Sequence, residues 1–126
     1  MLLWLAAVLA LLLARAAWQR WPGLATCAAF WAVALLTILL GWSAAFSQYV
    51  SAAGVLSNAA VTLANGGFMP VALGRAAGTR ARSLWVQRRS GQRLLFLADN
   101  FGTDRFRFSL GDVLLFAGIV LALAGL

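Results

Sequence analysis

The amino-acid sequence predicts a single all-α membrane domain with about four transmembrane helices and one basic interfacial loop. Of its 126 residues, 63% are hydrophobic and only 10% are charged, whereas a soluble domain carries about 25% charged residues. Long apolar runs open the chain at 2–17 and close it at 113–126. Eight of the ten arginines fall within one segment, residues 74–108. A chain with this pattern is expected to place its apolar runs in lipid.

The first predicted span covers residues 1–18. Small residues around Arg15 resemble a signal-peptide cleavage site, but the positive charges at Arg15 and Arg20 follow the apolar stretch instead of preceding it, so we predict a retained span. Pro22 and Gly23 then interrupt the chain. The second span covers residues 24–42, which would rise about 28 Å as a helix. Aromatic residues without charge at 41–51 predict a tight hairpin at the lipid boundary.

The third predicted span, residues 50–64, is the least apolar of the four. Because polar groups in a bilayer prefer partner helices to lipid, this span is expected in the interior of the bundle, where Ala53, Gly54 and Ser57 permit close helix approach. Its polar side chains are Ser51, Ser57, Asn58 and Thr62.

A turn at Asn65, Gly66 and Gly67 is predicted to end the third helix, since Gly or Asn past a helix end adopts left-handed backbone conformations. The fourth span covers residues 109–126. Ser109 followed three residues later by Asp112 is the sequence signature of a helix start, and an acidic group there faces the positive end of the helix dipole.

The basic segment 74–108 is the one long stretch predicted outside lipid. Helical spacing of the residues around Trp85 favours a basic amphipathic helix lying along the headgroups. The short apolar run 94–98 is expected to dip into the interface or pack on the bundle, and residues 105–108 to be extended. Arginines expected to contact anionic lipid headgroups or a partner protein are Arg75, Arg82, Arg88, Arg89 and Arg93.

Both basic loops, one after the first span and one after the third, fall on the same side of a four-span chain. Basic loops remain in the cytoplasm, so this placement predicts that both termini lie outside. The net charge of +7 does not indicate nucleic-acid binding, because the arginines sit beside membrane spans, where anionic headgroups account for them. The partners expected from the sequence are therefore membrane lipids and other membrane subunits.

The residue types present limit the chemistry of the chain. It has no His and a single Cys, Cys27, so imidazole-ligated haem, a zinc site and an internal disulfide are not expected. We predict no cofactor and no metal site.

Four polar residues near lipid depth are candidates for a site: Asn58, Asn65, Asp99 and Asp112. Asp112 is either a helix-start residue or a functional carboxylate with a partner, and Asp99 either a surface turn or a site residue. If the two carboxyl groups meet, they could share a proton and act as the acid and base of an aspartic hydrolase. Asn65, Gly66 and Gly67 either terminate a helix or, with Asn58, form a polar cluster.

Three sequence blocks are similar to those of a known bacterial family. They are Gly54-Val-Leu-Ser-Asn58 running to Asn65-Gly-Gly-Phe-Met-Pro-Val71, Arg93-Leu-Leu-Phe-Leu-Ala-Asp99, and Phe108-Ser-Leu-Gly-Asp-Val-Leu114. Over residues 54–118 the chain resembles the small integral membrane proteins grouped as domain of unknown function 5317. The resemblance implies a location in the bacterial cytoplasmic membrane and no particular activity.

The segment Phe108-Ser-Leu-Gly-Asp112 more faintly resembles lipoprotein signal peptidase, a four-span aspartic enzyme that works at the outer face of its membrane. The Asp-Arg block of that enzyme has no match after Asn58, and the arginine count predicts the opposite face for Asp99 and Asp112. The sequence therefore favours a non-catalytic accessory or assembly subunit that packs against larger membrane partners. The alternative is an intramembrane aspartic hydrolase using Asp99 and Asp112.

Overall fold

The computed structural model describes residues 1–71, 85–87, 92–99, 101–102 and 107–126. Within these residues the main elements are four α-helices, which confirms the predicted all-helical class. They are α1 (Leu2–Arg20), α2 (Leu24–Leu40), α3 (Phe46–Ala64) and α4 (Leu110–Leu123). Short elements connect α3 with α4: strands β1 (Met69–Val71), β2 (Trp85–Gln87), β3 (Phe101–Gly102) and β4 (Arg107–Phe108), and a 3₁₀ turn at Leu95–Leu97.

The helices run alternately up and down. At one end of the bundle, the indole of Trp18 near the end of α1 donates a hydrogen bond to the carbonyl of Gly67 beyond α3. At the opposite end, the amide of Ser47 at the start of α3 donates to the carbonyl of Leu126. The ends of α1 and α3 therefore lie beside the starts of α2 and α4. We call this end of the bundle the arginine end, because Arg15 and Arg20 of α1 lie there.

By length and composition, one helix among the described residues, α1, is long and apolar enough to cross a membrane by itself. Helices α2 and α4 are apolar but shorter. The four predicted crossings remain a prediction, although each predicted span coincides with one of the four helices.

Helix α3 is the centre of the bundle, as its polar composition predicts. It packs closely on α4 because glycines face each other: a Cβ on Gly54 would lie 2.7 Å from the carbonyl oxygen of Gly111, far inside contact distance. Farther along, a side chain on Gly118 would collide with Ser51. Ala53, which we expected at this contact, is exposed instead.

The connection between α2 and α3 is shorter than predicted, because α3 begins at Phe46. The side chain of Gln48 organises this turn: its Oε1 accepts hydrogen bonds from the amides of Ser43 and Ala45, and its Nε2 donates to the carbonyl of Gly41 at 2.6 Å. A polar side chain thereby satisfies backbone groups that the helix ends leave without partners.

Strands β1 and β2 pair in parallel, with Met69 opposite Trp85, and β3 pairs with β4 in antiparallel fashion. The helical pattern predicted around Trp85 is therefore wrong at residues 85–87. The backbone of these residues pairs with β1, a long-range interaction that overrides local periodicity. The extended conformation predicted before α4 is confirmed for Arg107 and Phe108.

The short apolar run 94–98 packs on the bundle. Its last residue, Ala98, is fully buried in a cluster with Val61 of α3 and Met69 of β1. Leu97 packs against the same cluster. This packing holds the following residue, Asp99, against the end of α3.

Candidate functional site

A cavity of about 420 Å³ lies inside the bundle toward the arginine end. This volume is within the range of small-molecule sites, roughly 300–1,000 Å³. All four helices and the segment before β3 contribute to its wall. Polar side chains from four separate parts of the chain meet there: Arg15, Asn58, Thr62, Asp99 and Asp112.

Asp112 is held in place by both neighbours and backbone. Its Oδ1 accepts a hydrogen bond from Nδ2 of Asn58 at 2.8 Å, and its Oδ2 accepts one from the backbone amide of Ser109 at 3.1 Å. The hydroxyl of Ser109 in turn accepts from the amide of Asp112, which is the helix cap that the sequence predicts. Both carboxyl oxygens therefore act as acceptors, which is the bonding pattern of an ionised carboxylate.

Asn58 connects this helix start to α3. Besides donating to Asp112, it accepts a hydrogen bond through Oδ1 from the hydroxyl of Ser109 at 2.5 Å. Asn58 is 2% exposed and Ser109 is fully buried. The amide thus uses its donor and its acceptor on two residues of the same cap, which fixes the rotamer of Asn58 and the position of Asp112.

Asp99 is buried, with 1% of its surface exposed. It is not a surface turn. Its backbone amide donates to the carbonyl of Pro70 in β1 at 3.1 Å, so the strand anchors it. Its carboxyl group lines the same cavity as Asp112. The structure therefore places both aspartates on the wall of one cavity.

Arg15 brings a positive charge to this cavity. Its guanidinium carbon lies 5.1 Å from the ring centroid of Trp18 and 5.7 Å from that of Phe30, distances that favour cation–π attraction. It also interacts electrostatically with Asp112. From the sequence, Arg15 served only to orient the chain. The sequence feature that could have indicated a role in the site is the position of Arg15 within an apolar run, about one helical turn before Trp18.

Three aromatic rings form part of the cavity wall. Trp18, Phe30 and Trp31 contact one another, with centroid separations of 4.8 to 5.9 Å. The indole of Trp31 donates to the hydroxyl of Thr62 at 2.8 Å, and the buried thiol of Cys27 lies 3.4 Å from the same hydroxyl. Trp31 is thus packed within the bundle.

Asn65, Gly66 and Gly67 do not line this cavity. The side chain of Asn65 exchanges two hydrogen bonds with the backbone of Arg93, through Nδ2 at 2.8 Å and Oδ1 at 2.9 Å. Gly66 and Gly67 have φ of +75° and +94°. A Cβ on Gly67 would collide with the carbonyl of Gly23. These residues follow the end of α3, and Asn65 joins it to the backbone of Arg93.

Of the arginines expected to contact headgroups or a partner, Arg93 is exposed beside this turn. The other four, Arg75, Arg82, Arg88 and Arg89, lie outside the described residues.

The chemistry available in the cavity is acid–base chemistry. Two aspartates, one asparagine, two threonines and one arginine line an otherwise largely apolar space. Within the described residues, no three His, Cys, Asp or Glu side chains gather as a metal ion would require. A carboxylate beside a carboxylic acid can move protons to and from a bound water and a carbonyl oxygen without a cofactor.

Comparison with known proteins assigns the chain to a family. The model of a family of unknown function, DUF5317, matches residues 1–124. The chain belongs to this family, and the match covers all four helices, beyond the 54–118 region that carries the sequence resemblance. No curated protein and no solved structure matches the chain.

Proposed function

We propose that this member of the DUF5317 family is a membrane-embedded aspartic hydrolase that cleaves an ester or amide bond with water. The observation that carries the proposal is that Asp99 and Asp112, from separate parts of the chain, line one cavity of substrate size. Neither position is explained by surface solvation, because Asp99 is buried and Asp112 is held against α3. A pair of carboxyl groups in one site is an established way to assemble an acid and a base.

The hydrogen bonds assign a role to each carboxyl group. Asp112 accepts hydrogen bonds at both of its oxygens, so we assign it the role of the base. An aspartic pair holds one proton between its members at the start of the reaction. Asp99 then carries that proton and acts as the acid.

In the reaction, the oxygen of a water molecule forms a bond to the carbonyl carbon of the substrate. Asp112 accepts a proton from this water while Asp99 gives its proton to the carbonyl oxygen, so a neutral tetrahedral intermediate forms. Asp112 then donates its proton to the leaving nitrogen or oxygen as that bond breaks, and Asp99 recovers the proton from the intermediate. The products are a carboxylic acid and an amine or alcohol, and both aspartates regain their starting states.

A membrane location is part of the proposal. In water, the apolar side chains on the outer surface of α1 would be unfavourably solvated. More than half of the surface is exposed for Leu2, Leu3, Leu5, Leu9, Leu12 and Leu13. We place the arginine end, with both aspartates, on the cytoplasmic side and both termini outside, since basic residues flank that end.

A second candidate function is the non-catalytic accessory subunit favoured by the sequence. The observation in its favour is that the hydrogen bonds among Asn58, Ser109 and Asp112 are also a complete helix-packing network joining α3 to α4. In that case the polar cavity would be a by-product of packing, and the chain would associate with larger membrane partners. Size analysis after gentle detergent extraction tests this role, since a chain that runs alone contradicts it.

Hydrolysis is tested with heavy-oxygen water, because the enzyme transfers the oxygen of water into the product acid. The purified chain is incubated with membrane extract, and mass spectrometry detects carboxyl groups that acquire the label. We expect Asp99→Asn and Asp112→Asn each to reduce labelling by about 10²- to 10⁴-fold. Arg93→Gln, an exposed change in the same loop, serves as the control and should label normally. Two well-folded aspartate variants that label like the wild type would refute the proposal.

A further inference from the structure

A second cavity continues the first toward the opposite end of the bundle. Its volume is about 200 Å³, and it is lined by Trp4 of α1, Ser51 of α3 and Gly118 of α4, among others. Thr37 and Ile38 of α2 line both cavities. The two spaces therefore border the same turn of α2, and they lie in sequence along the bundle from the aspartates to Trp4.

The chemistry of the wall changes along this path. Both carboxyl groups, the guanidinium of Arg15 and the amide of Asn58 lie at the arginine end. The middle is apolar and is formed by Leu11, Ala34, Ile38, Val55 and Leu115. At the far end the ring of Trp4 packs against the backbone of Gly41, where a Cβ would lie 2.7 Å from the ring. Ser47, Gln48 and Ser51 also line the far cavity, but most of its wall is apolar. A charged start and a largely apolar continuation fit a molecule with the same sequence of properties.

We infer that the two cavities form one binding groove for a single-chain amphiphile, an N-acyl amide or acyl ester whose polar head lies at the aspartates. Its hydrocarbon chain extends past Ile38 toward Trp4. This inference rests on the proposed function, because it names the class of substrate that the aspartates would cleave. The carbonyl carbon of the amide or ester is the point where the head meets the chain, and this places it in the polar part of the groove.

The length of the groove sets the length of the chain. Arg15 and Trp4 lie eleven residues apart on one helix, which corresponds to about 16 Å along its axis. This distance accommodates an extended acyl chain of medium length. Shorter chains would leave the Trp4 end of the groove unfilled, and the bound chain would lose contacts there.

Bromine atoms on the chain locate it in the groove, because bromine quenches nearby tryptophan fluorescence. The probe is an N-acyl glycine amide of medium chain length with bromine at the end of the chain, added to the full-length protein in nanodiscs. The contribution of Trp4 is obtained by comparison with Trp4→Phe. Trp21, which is 64% exposed and lines neither cavity, reports quenching by probe dissolved in the lipid through Trp21→Phe. We expect the probe to quench Trp4 more strongly than Trp21.

A blocking variant and a matched control identify the path. Ile38→Trp adds bulk where the cavities meet, whereas Leu39→Trp adds the same bulk at a neighbouring position that is 48% exposed and lines neither cavity. We expect Ile38→Trp to abolish the excess quenching of Trp4 and Leu39→Trp to preserve it. Equal quenching of Trp4 and Trp21 in the wild type, or excess quenching that survives in Ile38→Trp, would overturn the groove.

The same measurement in Asp112→Asn separates this inference from the proposed hydrolysis. Binding of the chain depends on the apolar wall, so the excess quenching of Trp4 should persist in that variant. If it persists while Asp99→Asn and Asp112→Asn leave heavy-oxygen labelling unchanged, the groove stands and the hydrolase fails. If labelling depends on both aspartates while Trp4 shows no excess quenching, the hydrolase stands and the groove is refuted.

Discussion

The side-chain amide of Asn58 donates a hydrogen bond to the carboxylate of Asp112 across 2.8 Å, joining the central helix to the first turn of the last one. The same amide accepts from Ser109, the cap of that last helix. One buried side chain therefore determines where α4 begins relative to α3. It also determines where one of the two carboxyl groups faces the cavity.

Replacing Asn58 with Ala should destabilise the fold. The variant loses the hydrogen bonds that the Asn58 side chain makes to Asp112 and Ser109, so both groups lose a partner. We expect the free energy of unfolding to fall by about 2–4 kcal/mol. Thermal unfolding in detergent measures the loss. Ser57→Ala is the matched control, because Ser57 donates to the carbonyl of Ala53 within its own helix and its loss should change stability by less than about 0.5 kcal/mol. Equal stability of the two variants would contradict this account.

Gly111→Ala should separate α3 from α4. The added Cβ would overlap the side-chain amide of Asn58 and lie 2.8 Å from the carbonyl of Gly54. Overpacking of this kind costs about 1–3 kcal/mol. Gly23→Ala adds the same methyl group where nothing lies within 4 Å, so its unfolding midpoint should stay close to that of the wild type. A fully stable Gly111→Ala protein would mean that the helices are not in backbone contact.

Trp18→Phe should loosen the arginine end of the bundle. Trp18 is 2% exposed and its indole donates to the carbonyl of Gly67 at 2.9 Å, a bond that Phe cannot make. Loss of that bond, with the carbonyl left buried, costs about 1–3 kcal/mol. The exposed Trp21 offers the comparison, and Trp21→Phe should unfold at the same denaturant concentration as the wild type. Chemical denaturation followed by circular dichroism distinguishes the two.

The proposed orientation predicts which thiols react with a membrane-impermeant reagent in intact cells. Native Cys27 is fully buried and is not expected to interfere. Trp42→Cys, in the connection between α2 and α3, should be labelled from outside, whereas Arg93→Cys should react only after the cells are opened. Labelling of Arg93→Cys in intact cells would invert the orientation. The aspartates would then face outward, as in lipoprotein signal peptidase.

Hydrolysis by an acid and a base predicts a bell-shaped dependence of rate on pH. The rate should fall at low pH, where the carboxyl pair has taken up a second proton and cannot accept one from water. It should fall again at high pH, where the pair has lost the proton that it donates. Initial rates of heavy-oxygen incorporation across the pH range measure both limbs. A rate independent of pH would exclude these roles for the aspartates.

The helices could be predicted from the sequence because their signals are local. The apolar runs, the break at Pro22 and Gly23, and the pairing of Ser109 with Asp112 each act within a few residues. The pairing of β1 with β2 joins residues far apart in the chain, so local periodicity around Trp85 predicted a helix instead. The burial of Asp99 has the same origin, since it depends on a backbone hydrogen bond to Pro70.

The candidate site could be predicted only in part. Asn58, Asp99 and Asp112 stand out as polar residues near apolar runs, but nothing in their spacing reveals that they face one cavity. Arg15 was assigned to the topology because a positive charge near a span end normally has that role. Its place beside Trp18 and Phe30 depends on how α1 packs against α2, which the sequence of either helix alone does not specify.

Contact between Gly54 and Gly111 has a consequence for tolerance to mutation. Where two helices touch through their main chains, changes of side-chain rotamer cannot alter the distance between them. The backbone contact therefore fixes the position of α4 relative to α3. The opposite face of α4 does not contribute to this contact. Its large side chains are Phe116, Ile119 and Leu123, each more than half exposed. Substitutions on this outer face should therefore leave the position of the Asp112 carboxylate unchanged.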